Sequence, residues 1–314
     1  MPGFLLRRAS QTALVLLAMS FVIYGLIGLM PGDPIDLMMA SNPGMTPEAA
    51  ARLRAIYGLD QPLLLRYAHW LGDALRGDLG FSRVHARPVL EVLAPALWHT
   101  CKLMLGGFTV AVVLSLVLGV AAALRPGGWL DGAISTVALA GVSVPVFWLA
   151  LVLILVFAVN LRVLPASGVG DGSWGATVRH LTLPVITLAL ATTGQFVRFV
   201  RAAMLDALRM DHIRTARAKG AGEGRVVLVH ALRPALIPVV TVMALSFGGL
   251  FGGALITETM FAQPGMGKMI YDAILGNDYN LALTGLLFAT FVTLLSNLAA
   301  DLAYGWLDPR ISVR

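Results

Sequence analysis

Polar and apolar positions in this chain do not alternate with a surface period. They separate into long blocks. Residues 9–32, 103–124, 132–161, 180–197, 234–257 and 279–300 each run 18 or more positions without Asp, Glu, Lys or Arg. About 20 residues of helix cross a bilayer core, so the pattern predicts six spans. Helix is the form expected, because lipid offers no partner for unpaired backbone groups. The first run follows Arg7 and Arg8 as a secretory signal would, but it is too long and leads into "LIGLMPGDP", so an uncleaved first span is expected.

Between the first two spans, Pro31, Pro34, Pro43 and Pro47 break the chain, and "TPEAAARLRAIYGL" then predicts a helix with Thr46 as N-cap, Pro47 at its first position and Gly58 as its stop. "LLLRYAHWLGDAL" places Leu64, Tyr67, Leu71 and Leu75 at helical spacing. Together these predict a small helical cap on the outer membrane face, from which 88–102 enters the second span at a shallow angle. Span three carries Pro145 near its middle, Pro184 interrupts span four, and span five holds Gly248, Gly249, Gly252 and Gly253. Close helix packing explains these residues more economically than a pore lining.

Composition supports the membrane assignment. The 314 residues are 58% hydrophobic and 13% charged, with a mean hydropathy of +0.81, which exceeds what a soluble core can use. The net charge of +6 is placed by topology rather than as a nucleic-acid footprint. With the N-terminus inside, Arg7, Arg8, Arg125, Arg201, Arg209, Arg214, Arg217, Lys219, Arg225, Arg233, Arg310 and Arg314 face the cytoplasm, against Arg162, Arg179 and Lys268 in the two short outer loops. The outer segment 33–96 is nearly balanced, with six basic and seven acidic residues. One cysteine, Cys101, excludes an intrachain disulfide and a cysteine metal cluster.

The internal stretch 203–219 is too charged to span. It reads as one helix, with Asp206 in its first turn, Arg217 and Lys219 in its last, and Gly220 as its stop. Asp206 with Arg209, and Asp211 with Arg214, stand three apart and can pair. Several decoys fall away. "GAGEG" at 220–224 has no preceding strand and the wrong glycine spacing for a dinucleotide fold, and "PGMGKM" at 264–269 has Met269 where a phosphate loop needs Ser or Thr. The six histidines show no metal-ligand spacing. Lys102, Glu258 and Asp301 stand in or beside apolar runs, where an ionisable group has a partner or faces water.

"RTARAKG" followed by "HALRPALIP" resembles the cytoplasmic loop motif of ABC importer permeases, in the form found in the dipeptide, oligopeptide and nickel permease branch. Arg214, Thr215 and Ala216 fall on the head of that motif, Arg214 departing from its usual Glu, and Gly220 falls on its glycine. "PGDP" at 31–34, "LDQP" at 59–62, "GDLGFS" at 77–82, "ETMFAQPGMG" at 258–267 and "DLAYGWLDPR" at 301–310 follow in family order. The resemblance implies an all-α integral membrane protein of six transmembrane helices, with the type I ABC importer permease fold. Its expected parts are an N-terminal tail and first helix over 1–32, an external helical insertion over 33–96, a transmembrane domain over 97–307 and a cytoplasmic tail over 308–314.

The resemblance also implies a multi-pass subunit of a bacterial inner membrane that moves peptides, or a related solute such as a nickel chelate or a glutathione-like molecule, inward. Partners would be a second homologous permease in a heterodimer, two cytoplasmic ATPases, an extracytoplasmic binding protein and membrane lipid, with no nucleic acid. The coupling contact to the ATPases would involve Arg214, Thr215, Ala216, Arg217, Lys219, Gly220 and Glu223, small Ala216 allowing close approach. No cofactor or metal is expected on this chain, ATP and Mg being used by the partner ATPases, and no catalytic residues are expected. A membrane-embedded enzyme would need a buried catalytic pair, and a proton-coupled carrier would show more acids at membrane depth; neither pattern is present in the sequence.

Overall fold

The computed structural model describes the backbone of residues 2–29, 39, 44, 46–56 and 60–307, and the side chains of this set except those of 2–5, 53–56 and 300–307. "PGDP", Leu59, the Asp301 side chain and the tail 308–314 lie outside what is described. The chain is helical: α1 Pro2–Gly28, α2 Pro47–Ile56, α3 Leu63–Leu75, a hairpin of β1 Phe81–Ser82 and β2 Arg87–Pro88, then α4 Val89–Leu124, α5 Trp129–Ser143 and α6 Val146–Leu153. There follow α7 Trp174–Leu208, α8 Asp211–Ala218, α9 Glu223–Met260, α10 Met266–Leu275 and α11 Tyr279–Leu307. Among the described residues, five helices (α1, α4, α7, α9 and α11) are long and apolar enough to cross a membrane, and the bent pair α5–α6 passes the same test only when taken together, which makes the count six if the pair crosses as one span.

The break divides the span expected over 132–161 at Pro145. The chain bends by 106° between Ser143 and Val146, and Ile154–Asn160 continues α6 as a π-helical turn. Pro145 lacks a backbone donor and disfavours helical conformation at the residue before it, and Val144 is extended, at φ −83° and ψ 125°. Segment 88–102 also differs from expectation. It does not approach the span as a separate piece, because α4 is one helix of 36 residues that carries Pro95 inside it.

The chain divides into two compact units, one of residues 1–5, 98–268 and 292–314 and the other of 6–97 and 269–291. In the larger unit α7 packs against α5, α6 and α9. Its core joins Ala111 and Ala123 of α4, Phe196, Val200 and Met204 of α7, Ile213 of α8, and Val226, Ala235 and Val239 of α9. Of the four glycines singled out in this span, two serve helix packing. A side chain at Gly248 would meet Thr293 and one at Gly253 would meet Leu188, whereas Gly249 and Gly252 face open space.

In the smaller unit Thr46 caps α2, its Oγ1 accepting from Ala49 N at 3.2 Å. The helix α3 is more than a cap on the membrane surface. Tyr67 Oη lies 2.7 Å from Ser20 Oγ and donates to Leu17 O at 3.4 Å, while Phe21, Tyr24, Tyr67 and Trp70 form one aromatic cluster. Tyr67 and Trp70 thus seat α3 on the span α1 itself, where aromatic rings find aromatic partners, while Leu64 and Leu75 of the same expected face stay exposed. The hairpin is tethered through Asp278, which accepts from Ser82 Oγ at 2.5 Å and from Val84 N at 3.0 Å.

Sidedness follows from the basic segments and is directly testable. Ala50 is fully buried, so a thiol there would be a poor reporter, while Arg76 and Arg209 are exposed. In a Cys101→Ser background, Arg76→Cys is expected to react with an impermeant maleimide from outside intact cells. Arg209→Cys is expected to react only in inverted membrane vesicles. Reaction of both from one side would overturn the six-span arrangement.

Candidate functional site

The charged internal stretch is two elements, not one helix. The long helix α7 continues to Leu208, so Asp206 stands in its last turn rather than at the start of a loop helix, and the chain breaks at Arg209 and Met210 before α8 begins. The first-turn acid of α8 is Asp211, with Arg217 in the last turn, which retains the charge order favoured by the helix dipole. Of the two pairs expected, Asp211–Arg214 is present at 3.9 Å with both side chains exposed, a geometry that contributes little to stability.

The turn after α8 is closed as a Schellman motif. Gly220 has φ +80°, its N donates to Arg217 O at 2.9 Å, and Ala221 N donates to Ala216 O at 3.1 Å. Arg217 then reaches across the turn in a fork, Nε and Nη2 donating to the two Glu223 carboxylate oxygens at 2.7 and 3.1 Å. These bonds raise the Arg217 guanidinium above its ordinary pKa. Thr215 Oγ1 donates to Asp211 O at 3.0 Å, which orders the first turn.

Within the expected contact set, Ala216 is the residue that faces inward. It is half-buried, packed with Ile213 into the core of the chain itself, and Ile213 is fully buried. Residues 213 and 216 lie three apart and therefore on one helix face. The outward face carries Arg214, Thr215 and Ala218, with Lys219 following, all exposed. Two further ties hold this end. His212 Nε2 donates to His230 O at 3.0 Å in the π-helical turn Val226–Ala231, and Asp131 accepts both Arg201 Nε at 2.5 Å and Arg201 Nη2 at 2.7 Å. The Arg201 fork also fixes the α4–α5 turn, because Gly127 N donates to the same carboxylate at 2.8 Å. Sequence spacing offered no signal for either tie: Arg201 counted only as a basic residue, and the partners are 70 and 18 residues apart.

At the other end of α7 the loops are held by a buried carboxylate. Glu258 is 0% exposed; its Oε1 accepts from Thr100 Oγ1 at 2.5 Å and its Oε2 from Lys268 N at 3.0 Å, while Thr100 Oγ1 accepts from Met266 N at 2.7 Å. The carboxylate therefore sits at the N-terminus of α10. Gly265 and Gly267 permit this approach, since a β-carbon on either would collide with the Glu258 carboxylate. Of the three ionisable residues singled out beside apolar runs, Glu258 is thus structural, and Lys102 lies elsewhere in α4, beside the Trp98 ring at 6.0 Å. His180 Nδ1 donates to Ser167 O and Gly168 O at 3.1 and 2.9 Å, and Gln263 Nε2 donates to Gly168 O at 2.7 Å. Among the described residues no group of three His, Cys, Asp or Glu could hold a metal ion.

Comparison with known proteins agrees with this architecture. Residues 115–313 match the family described as binding-protein-dependent transport system inner membrane component, and residues 1–94 match the N-terminal family of the same systems. The di/tripeptide transport system permease protein DppB of Pseudomonas aeruginosa is 39% identical over 99% of both chains. The dipeptide transport system permease protein DppB of Escherichia coli K12 is 35% identical over 98% of both. Among solved structures, a chain of the MetNI methionine ABC transporter in an inward-facing conformation aligns with a TM-score of 0.57 at 20% identity, over 70% of this chain and 97% of that one. A chain of an amino acid ABC transporter aligns with a TM-score of 0.50 at 15% identity, over 68% of this chain and 93% of that one.

Proposed function

The chain belongs to the family of binding-protein-dependent transport system inner membrane components, a multi-pass inner-membrane permease with the type I importer fold, and from that premise we propose that it imports di- and tripeptides as one half of a two-permease channel. Two ATPases would bind at the α8 end, and an extracytoplasmic protein would deliver the peptide at the other. The observation that supports this most directly is the seating of α8. Its inner face is locked into the core by Ile213, its turn is closed by Gly220 and the Arg217–Glu223 fork, and its exposed face is offered outward. A solvated loop has no need of so rigid a frame, whereas a lever that passes motion from a partner into α7 and α9 does. The names of the full-length relatives, di/tripeptide and dipeptide permeases, support the choice of solute.

The ATP chemistry would belong to the partners. "PGMGKM" is not open to a phosphate, because the Lys268 amide donates to Glu258 and the Met266 amide to Thr100. The test is reconstitution in proteoliposomes with the second permease, the ATPases and the binding protein of the same transport system. ATP-dependent uptake of alanyl-alanine is expected from the full set and from no subset lacking the ATPases. The chain alone is expected to bind no more nucleotide than a control membrane protein, with Lys268→Ala unchanged. Nucleotide binding abolished by Lys268→Ala would overturn the assignment of ATP chemistry to partners, and absence of uptake by the full set would overturn the choice of solute.

A further inference from the structure

A cavity of about 300 Å³ opens at the Ser173 end of α7, lined by His99 and Lys102 of α4, Gly170 of the α6–α7 loop, Thr177 and His180 of α7, and Gln263. His180 and Leu208 are 28 positions apart on one helix, about 42 Å of axial rise at 1.5 Å per residue, which exceeds a bilayer core of about 30 Å. The cavity therefore lies on the opposite side of the membrane from α8.

Lys102 is the cationic side chain of the lining, and the one carboxylate at its rim, Asp171 between Gly170 and Gly172, accepts from Ser173 N at 3.0 Å and faces His180 rather than pairing with Lys102. Lys102 is half-buried and has the Trp98 ring at 6.0 Å, but no carboxylate pairs with it among the described residues. A basic side chain in a span with no acidic partner attracts an anion. The other polar groups are already oriented. The Nδ1 of His180 is committed to two backbone carbonyls, which fixes its ring, and the Gln263 amide is committed to Gly168 O. Lysine is a point-charge donor suited to a single carboxylate.

We propose that this cavity binds the α-carboxylate of the transported peptide as it leaves the binding protein, with Lys102 as the charged partner. The assignment of a peptide rests on the function proposed above; the assignment of a carboxylate rests on the cavity. One charge-assisted hydrogen bond at such a site changes occupancy about tenfold.

The chain has three lysines, Lys102, Lys219 and Lys268, so reductive methylation read by mass spectrometry resolves each. The experiment uses the assembled transporter without its binding protein, in phosphatidylcholine nanodiscs. Alanyl-alanine at several times its dissociation constant is expected to slow Lys102 methylation roughly fivefold, by mass action, while Lys219 is unchanged. Acetate is expected to protect Lys102 and alanyl-alanine amide is not. In the full transporter, Lys102→Met is expected to reduce alanyl-alanine uptake about tenfold and Lys102→Arg to retain most of it.

Equal protection by the amide would overturn the carboxylate assignment. Protection by phosphatidylglycerol in the nanodisc without any dipeptide would make the occupant a lipid phosphate and overturn the proposal. Wild-type uptake with no protection by acetate or dipeptide would sink the site and leave the permease assignment standing. Protection by acetate without dipeptide import would do the reverse: the carboxylate site stands and the peptide does not.

Discussion

Glu258→Ala is expected to destabilise the subunit more than any exposed carboxylate substitution. The change leaves the Lys268 amide without its acceptor and strands the Thr100 hydroxyl, which donates at 2.5 Å in the native protein. A buried donor without an acceptor costs about 1–3 kcal/mol, so two such groups place the loss at roughly 2–6 kcal/mol. In a chain of this size that corresponds to a fall in melting temperature on the order of 10 °C. Cys101, the sole cysteine and half-buried in the native fold, supplies the probe, since a maleimide dye reports its exposure on heating. Glu91→Ala, at an exposed site in the first turn of α4, is the control and is expected to shift the midpoint little. Gly265→Ala approaches the Glu258→Ala result by a different route, because its β-carbon would overlap the carboxylate. Midpoints indistinguishable between Glu258→Ala and Glu91→Ala would show that the carboxylate does not hold this loop.

The role of Glu258 illustrates what the sequence could and could not convey. Six apolar runs were enough to mark five membrane-length helices and the bent pair α5–α6, because exclusion of charge from lipid acts residue by residue and leaves its mark locally. A carboxylate at the end of such a run is ambiguous on its own. Its meaning depends on Thr100, which is 158 positions away, and on the Lys268 amide, which has no side-chain signature at all. The Asp131–Arg201 fork is hidden for the same reason. Local punctuation fared unevenly: Pro145 marked the site of the bend but not its 106° angle, which packing sets. The break between α7 and α8 carries neither glycine nor proline, only Arg209 and Met210, and so the charge pattern alone suggested one longer helix. Gly220 was legible because a left-handed turn at φ +80° is a demand that glycine meets at little cost.

That revised geometry changes which substitution tests coupling to an ATPase. Ala216→Arg, the natural choice from the motif, would push a charge into the core of the permease beside Ile213 and damage the subunit itself. Ala218 is the better position. It is exposed, belongs to no buried cluster, and lies on the face of α8 opposite Ile213 and Ala216. Ala218→Trp therefore points away from the buried cluster of its own chain. The variant is expected to accumulate in the membrane and to melt as the wild type does, with Cys101 labelling as the readout. If a partner closes over this face, forcing an indole into the contact costs about 1–3 kcal/mol. Such a penalty lowers transport and solute-stimulated ATP hydrolysis by roughly ten- to a hundredfold, since about 1.4 kcal/mol is a factor of ten. Arg209→Ala, exposed at the break before α8, removes a charge without touching that face and is expected to change transport less than Ala218→Trp does. Ile213→Asp should show the opposite profile, losing the folded subunit before coupling can be assayed. A surface loop serving only topology would respond to total charge and tolerate tryptophan at 218. Normal coupled transport by Ala218→Trp, together with failure of Arg209→Ala, would therefore remove the ATPase contact from this face of α8.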